Sequence, residues 1–163
     1  MTQVVVLGVG NLLLSDEGVG VHAIAALERD FDFPDGVRCV DGGTSTQELL
    51  GDLEDLDHLI VLDAVAAGFA PGSMIRLEGK SVPQAFTTKL SPHQIGIADL
   101  LAMLTFTGHA PKRVLLLGVE PAVLTLSMDL SPGVAARLPE LCAQVVAELG
   151  ALGLAPVRKR QAA

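Results

Sequence analysis

Five side chains of this sequence have the types to do chemistry together: Asp16, Glu17, Asp41, Asp63 and His93. Two carboxylates and an imidazole suit a borderline divalent ion such as nickel or zinc, whereas an all-oxygen set would suit magnesium or calcium. Three protein ligands leave positions open on the ion, as a catalytic or metal-reading site requires. Glu17, Asp63 and His93 come from three distant segments with no short chelating motif. That favours weak, conditional metal binding over a permanent structural ion. Each residue also has a plain structural reading. Asp16 can cap a helix, and Glu17 can be a first-turn acid favoured by the helix dipole. Asp63 can end a strand in solvent, and His93 can be an ordinary second residue of a helix.

The elements that would position these groups follow from hydrophobic periodicity. Residues 3–9, 37–41, 57–65, 72–79 and 113–119 read as strands, the fourth less apolar and nearer an edge. Residues 17–31, 44–56, 91–106 and 131–152 read as helices, with Thr44 or Ser45 capping the second and Pro139 awkward inside the last. Strands alternating with helices predict an α/β fold: a three-layer α/β/α sandwich with a mostly parallel, twisted five-stranded sheet. In such sheets ligands bind beyond the carboxyl ends of the strands. That rule selects Asp41 after the second strand and Asp63 after the third, with Glu17 in the turn beyond the first. It places them at a solvent-facing sheet edge. Ser91 and Gln94 form a capping box that would orient His93, and the helix start keeps its imidazole neutral and able to ligate. His22, His58 and His109 lack such a setting and read as surface or structural.

Composition narrows the class. The chain has 163 residues, half of them hydrophobic, which suffices for one domain with a sizeable core. A single α/β domain is expected over 1–155 and an unstructured tail over 156–163, including the basic run at 158–160. Net charge is −8, and there is no Trp or Tyr. A nucleic-acid partner is therefore not expected. No signal peptide or membrane span is visible, so a cytoplasmic monomer with no membrane partner is expected. Cys39 and Cys142 are far apart without a CxxC pattern and read as small buried hydrophobes.

Several motifs fail on inspection. Gly8-Val9-Gly10 opens like a dinucleotide fingerprint, but Leu13 stands where the third glycine belongs. Asp41 comes later than the usual ribose-binding spacing of roughly 20 residues. "GKS" at 79–81 has Met74 where a P-loop needs its first glycine, and "GTSTQ" at 43–47 ends in Gln47 where a nucleophile elbow needs glycine. HExxH is absent.

The stretches "LGVGNLLLSDEGVG" (7–20), "DGGT" (41–44), "LDAV" (62–65), "PG" (71–72), "SPHQIG" (91–96), "TG" (107–108) and "LLGVEP" (116–121) occur in order over nearly the whole chain. Together they resemble the nickel–iron hydrogenase maturation endopeptidases, and "SPHQ" is most similar to the branch serving uptake-type hydrogenases. The resemblance implies an enzyme whose substrate and partner is the precursor of a hydrogenase large subunit. It implies removal of that subunit's C-terminal extension once nickel is inserted. The nickel would be supplied by the substrate, with no permanently bound cofactor. The metal-contacting positions of the family fall on Glu17, Asp63 and His93. The sequence departs from the family pattern at Thr125, where relatives often have Glu, and at Asp129, where they often have Gly.

The chemistry expected is metal-assisted peptide hydrolysis, the ion polarising the scissile carbonyl or lowering the pKa of a bound water toward ~7. Asp16 and Asp41 are both candidates for the base, and the metal could instead serve only for recognition. A non-cleaving nickel-reading chaperone or checkpoint protein would carry similar residues. A nucleotide-binding protein is disfavoured by Leu13.

Overall fold

The computed structural model describes residues 1–43, 46–82 and 92–161, with the side chains of residues 46, 47 and 92–96 outside that description. Five strands form the main sheet: β1 (Val4–Val9), β3 (Val37–Gly43), β4 (His58–Ala64), β5 (Met74–Glu78) and β6 (Arg113–Val119). Their spatial order is β3-β1-β4-β6-β5. The first four run parallel, and β5 lies antiparallel to β6 at the edge. Helices α1 (Val19–Asp30), α2 (Pro92–Thr107), α3 (Pro132–Ala135) and α4 (Leu138–Ala151) complete the regular structure, with 3₁₀ segments at Ser15–Gly18 and Thr46–Leu53. None of the described helices is long and apolar enough to cross a membrane.

Alternation along the strands divides the core in two. Val4, Val6, Ile60, Leu62 and Leu117 face α1 and α4. Val5, Leu7, Val61 and Leu116 face α2 and the 3₁₀ segment Thr46–Leu53. Every residue of β1 is buried, as expected for a strand covered on both faces. The chain leaves β1 toward β3 over one face and returns from β3 to β4 over the other. Right-handed crossovers in opposite directions require this, and it puts the switch point of the sheet between β1 and β4.

Four sequence expectations are corrected. The helix expected from residue 17 begins as a 3₁₀ turn and becomes α-helical at Val19. The segment expected as helical over 44–56 is a 3₁₀ helix at Thr46–Leu53, where Gly51 weakens an α-helix. Its predicted caps, Thr44 and Ser45, lie outside the described residues. The last helix is two: Pro139 sits in the first turn of α4, where a missing N–H costs nothing. The tail expected to be unstructured from residue 156 is paired over Val157–Arg158 (β7) with Phe31–Asp32 (β2). Arg158 stacks 4.9 Å over the Phe31 ring, and Lys159 N–H donates to the Asp30 carbonyl at 2.8 Å. A guanidinium on an aromatic face is attractive, and this anchors what composition alone reads as loose.

The paired glycines of the opening motif act through close packing. A Cβ on Gly20 would lie 2.0 Å from the Leu62 carbonyl oxygen, and one on Gly10 would lie 1.9 Å from the Glu17 carbonyl oxygen. Both obstacles are backbone, so no side chain can yield. Gly20→Ala is therefore expected to lift α1 off β4 and destabilise the protein by about 3 kcal/mol, the upper end for overpacking. Urea unfolding of the two proteins measures this.

Candidate active site

The chain leaves β1 through Gly10, at φ +133°, and turns at once. Asn11 closes the turn: its Oδ1 accepts the Leu13 N–H at 2.9 Å and its carbonyl the Leu14 N–H at 3.1 Å. Ser15 follows at φ +51°, a conformation that costs free energy for a residue with a Cβ. It is held there by its N–H on the Ser127 carbonyl at 2.7 Å and its hydroxyl on the Asp129 carbonyl at 2.7 Å. The 3₁₀ turn Ser15–Gly18 then carries Asp16 and Glu17 against β4. Asp63 is next to last in β4, in register with Gly118 of β6, and its Oδ1 accepts the Ala64 N–H at 2.8 Å. Glu17 and Asp63 thus meet the same carboxyl edge of the sheet, at its switch point. Both are buried, contrary to the expectation of a solvent-facing setting. The helix start carrying His93 follows β5 in the chain; its side chain, and Ser91 of the predicted capping box, lie outside the described residues.

Asp16 and Asp41 separate sharply. Asp16 is fully buried and accepts four hydrogen bonds from one loop. Oδ2 takes the Ala122 and Val123 N–H groups at 2.9 and 2.8 Å and the Ser131 hydroxyl at 2.8 Å, and Oδ1 takes the Ser131 N–H at 2.7 Å. Burial pushes its carboxyl up, but these four donors together outweigh it and hold it below the ordinary carboxylate value. The geometry makes Asp16 the anchor of the 122–131 loop. Asp41 is exposed at the end of β3, in register with Gly8, and its Oδ1 accepts the Gly43 N–H at 2.9 Å.

Glu120 does for the other side of the edge what Asp16 does for this one, and sequence reasoning did not single it out. Its buried carboxylate accepts the Ala67 N–H at 2.7 Å and the Gly68 N–H at 3.0 Å, tying down the loop that follows β4. Its signal was available in "LLGVEP", an acid at the carboxyl end of a buried strand. Asp129 has no positive φ, so the departure from glycine at that position strains nothing.

His109 pairs with Asp55 at 3.0 Å, and its pKa is raised by that hydrogen bond. His58 begins β4, and His22 lies on α1 with Nε2 buried and unpartnered among the described residues. A cavity of about 620 Å³ lies at the opposite, amino end of β4 and β6, lined in part by His58, Arg76, Lys112 and Arg113. Arg76 pairs with Glu78 and Glu148 and Lys112 with Asp57, so much of its positive charge is neutralised.

Neither cysteine is poised to react. Burial pushes the Cys39 thiol up to about 12 and the Cys142 thiol up to about 11, so both are protonated at neutral pH. Thiol-directed reagents, and replacement of both cysteines by Ala, are expected to leave activity intact. Loss of activity with an unchanged circular dichroism spectrum would establish a thiol mechanism instead.

The protein is of the three-layer α/β sandwich class, with carboxylates buried at the carboxyl edge of the sheet and with Gly10 and Gly20 at close backbone approaches. The family model for hydrogenase maturation proteases matches residues 21–148. The chain is 46% identical over 153 residues to the hydrogenase 2 maturation protease of Escherichia coli K12, covering 93% of each chain. It is 38% identical over 154 residues to the hydrogenase expression/formation protein HupD of Rhodobacter capsulatus, covering 93% of this chain and 73% of that one. The solved structure of the hydrogenase maturating endopeptidase HybD from E. coli superposes with a TM-score of 0.94 at 45% identity, covering 97% of this chain and 98% of that one. The chain belongs to the hydrogenase maturation protease family.

Proposed function

We propose that this protein is an endopeptidase that removes the C-terminal extension of a nickel–iron hydrogenase large-subunit precursor after nickel insertion. The observation that carries the reading is the convergence of Glu17 and Asp63 on one edge of the sheet, within a family of maturation proteases. Glu17, Asp63 and His93 would contact the nickel carried by the precursor. That ion is substrate, and its presence reports that the large subunit is ready for cutting. Open coordination positions on the ion suit this reading role.

Hydrolysis then consumes one water. The water oxygen adds to the scissile carbonyl carbon as a carboxylate takes its proton, the C–N bond breaks, and the nitrogen leaves protonated. Asp41 is the better base: Asp16 has its acceptor positions filled and is held ionised by donors that protonation would break. A reducing, cytoplasmic setting fits the free Cys39 and Cys142.

The test is incubation with nickel-loaded large-subunit precursor followed by intact mass of that subunit. Loss of the extension's mass, dependent on nickel in the precursor, is the expected result. Binding without any mass change would assign a checkpoint role without cleavage. Cleavage of nickel-free precursor at the same rate would remove nickel from recognition.

A further inference from the structure

Ten large apolar side chains stand exposed among the described residues, and five of them, Leu13, Val123, Leu124, Leu126 and Met128, belong to two adjoining segments. The segments are joined by backbone. Leu14 and Ser127 form a parallel bridge, in which Ser15 N–H donates to the Ser127 carbonyl at 2.7 Å and Ser127 N–H to the Leu13 carbonyl at 2.9 Å. Leu126 is 82% exposed and Leu13 52%. The run Leu124-Thr125-Leu126-Ser127-Met128 alternates apolar and polar like a half-buried strand, yet all three of its apolar members are exposed, as is Thr125, and only Ser127 is partly covered. A patch of this kind, built by specific bonds, marks an interaction surface.

We infer that this patch is the docking surface for an extended, apolar segment of the precursor polypeptide next to the bond to be cut. The inference rests on the endopeptidase reading above. Continuity with the site identifies the occupant. The 122–131 loop is fastened to Asp16, whose chain neighbour is Glu17, so whatever covers Leu126 and Met128 lies beside the edge where the chain is to be cut. Charge weighs against two rivals. A chain of net charge −8 repels an anionic membrane or an acidic peptide, whereas an apolar segment meets no such cost.

The test compares Leu124→Ser/Leu126→Ser with the wild type, using the nickel-loaded precursor as probe and measuring both its dissociation constant and its cleavage. Because the replaced side chains are exposed, unfolding midpoints should match. A control, Met103→Ser/Phe106→Ser, removes the exposed apolar pair on α2. The expected result is at least tenfold weaker precursor binding for the loop variant and unchanged binding for the control. Equal affinity of loop variant and wild type would overturn the docking surface while leaving the function intact. If the wild type binds but never cuts, the endopeptidase reading fails, and the affinity comparison still decides the surface. If the wild type neither binds nor cuts, both fail. A wild-type dimer that the loop variant breaks, with precursor affinity unchanged, would give the patch to a second copy of the chain and overturn the inference. Loss of wild-type retention on phosphatidylglycerol vesicles, again with precursor affinity unchanged, would give it to a lipid surface with the same consequence.

Discussion

Glu17→Gln, Asp63→Asn and His93→Ala are each expected to slow precursor processing by on the order of 10²–10³-fold, the scale seen when one preorganised electrostatic contact is removed. The amide replacements suit the structure. Glu17 and Asp63 are buried, so alanine would leave cavities and unpaired donors, confusing stability with function. Asp63→Asn keeps a single side-chain oxygen, which can accept the Ala64 N–H or ligate without charge, and it should retain more activity than Asp63→Ala, which has none. If the three side chains grip one ion, the first removal forfeits most of the effect. The triple variant should then fall little further than the worst single one, as residues acting as a unit do. His58→Ala and His109→Ala are the controls and should process precursor normally. The measurement is precursor cleavage beside thermal unfolding for each variant. Stably folded His93→Ala with wild-type cleavage would remove the imidazole from the site, and additive losses would show that the three groups act separately.

What the sequence disclosed, and what it hid, divides by range. Buried parallel strands announce themselves locally. "VVVLGV" and "HLIVLDA" need no distant partner to be read, and with the alternation of helices they give the layers and the carboxyl edge. Once that edge is known, Glu17 and Asp63 are placed together by topology alone. The role of Asp16 was not legible, because its four donors lie 106 to 115 residues away. From sequence it is an acid before a helix, indistinguishable from a cap. Pro139 was visible but ambiguous: whether a proline breaks one helix or begins another depends on the turn before it. The tail depended on a two-residue pairing with Phe31–Asp32, too short to leave a periodic signal.

Asp16→Asn is expected to cost about 3 kcal/mol, because hydrogen bonds to a charged group are each worth roughly 1.5–3 kcal/mol and the amide cannot replace them all. With its oxygen turned to the Ala122, Val123 and Ser131 hydroxyl donors, its NH₂ must face the Ser131 N–H, donor against donor. The 122–131 loop should loosen, and with it the apolar patch, so limited proteolysis should cut there first. The pH dependence has a definite sign. The folded carboxyl titrates below its ordinary value of 3.8, so its stabilising contribution is complete above that value and is lost as pH falls through the folded one. The difference in unfolding free energy between wild type and Asp16→Asn should thus be level from pH 7 down to about 5 and shrink below about 4. Other carboxylates, such as Asp57 beside Lys112, titrate in both proteins and cancel from the difference. A difference that stayed constant into the acid range would mean that Asp16 is not the charged anchor of this loop, and the loop's position beside Glu17 would need another cause.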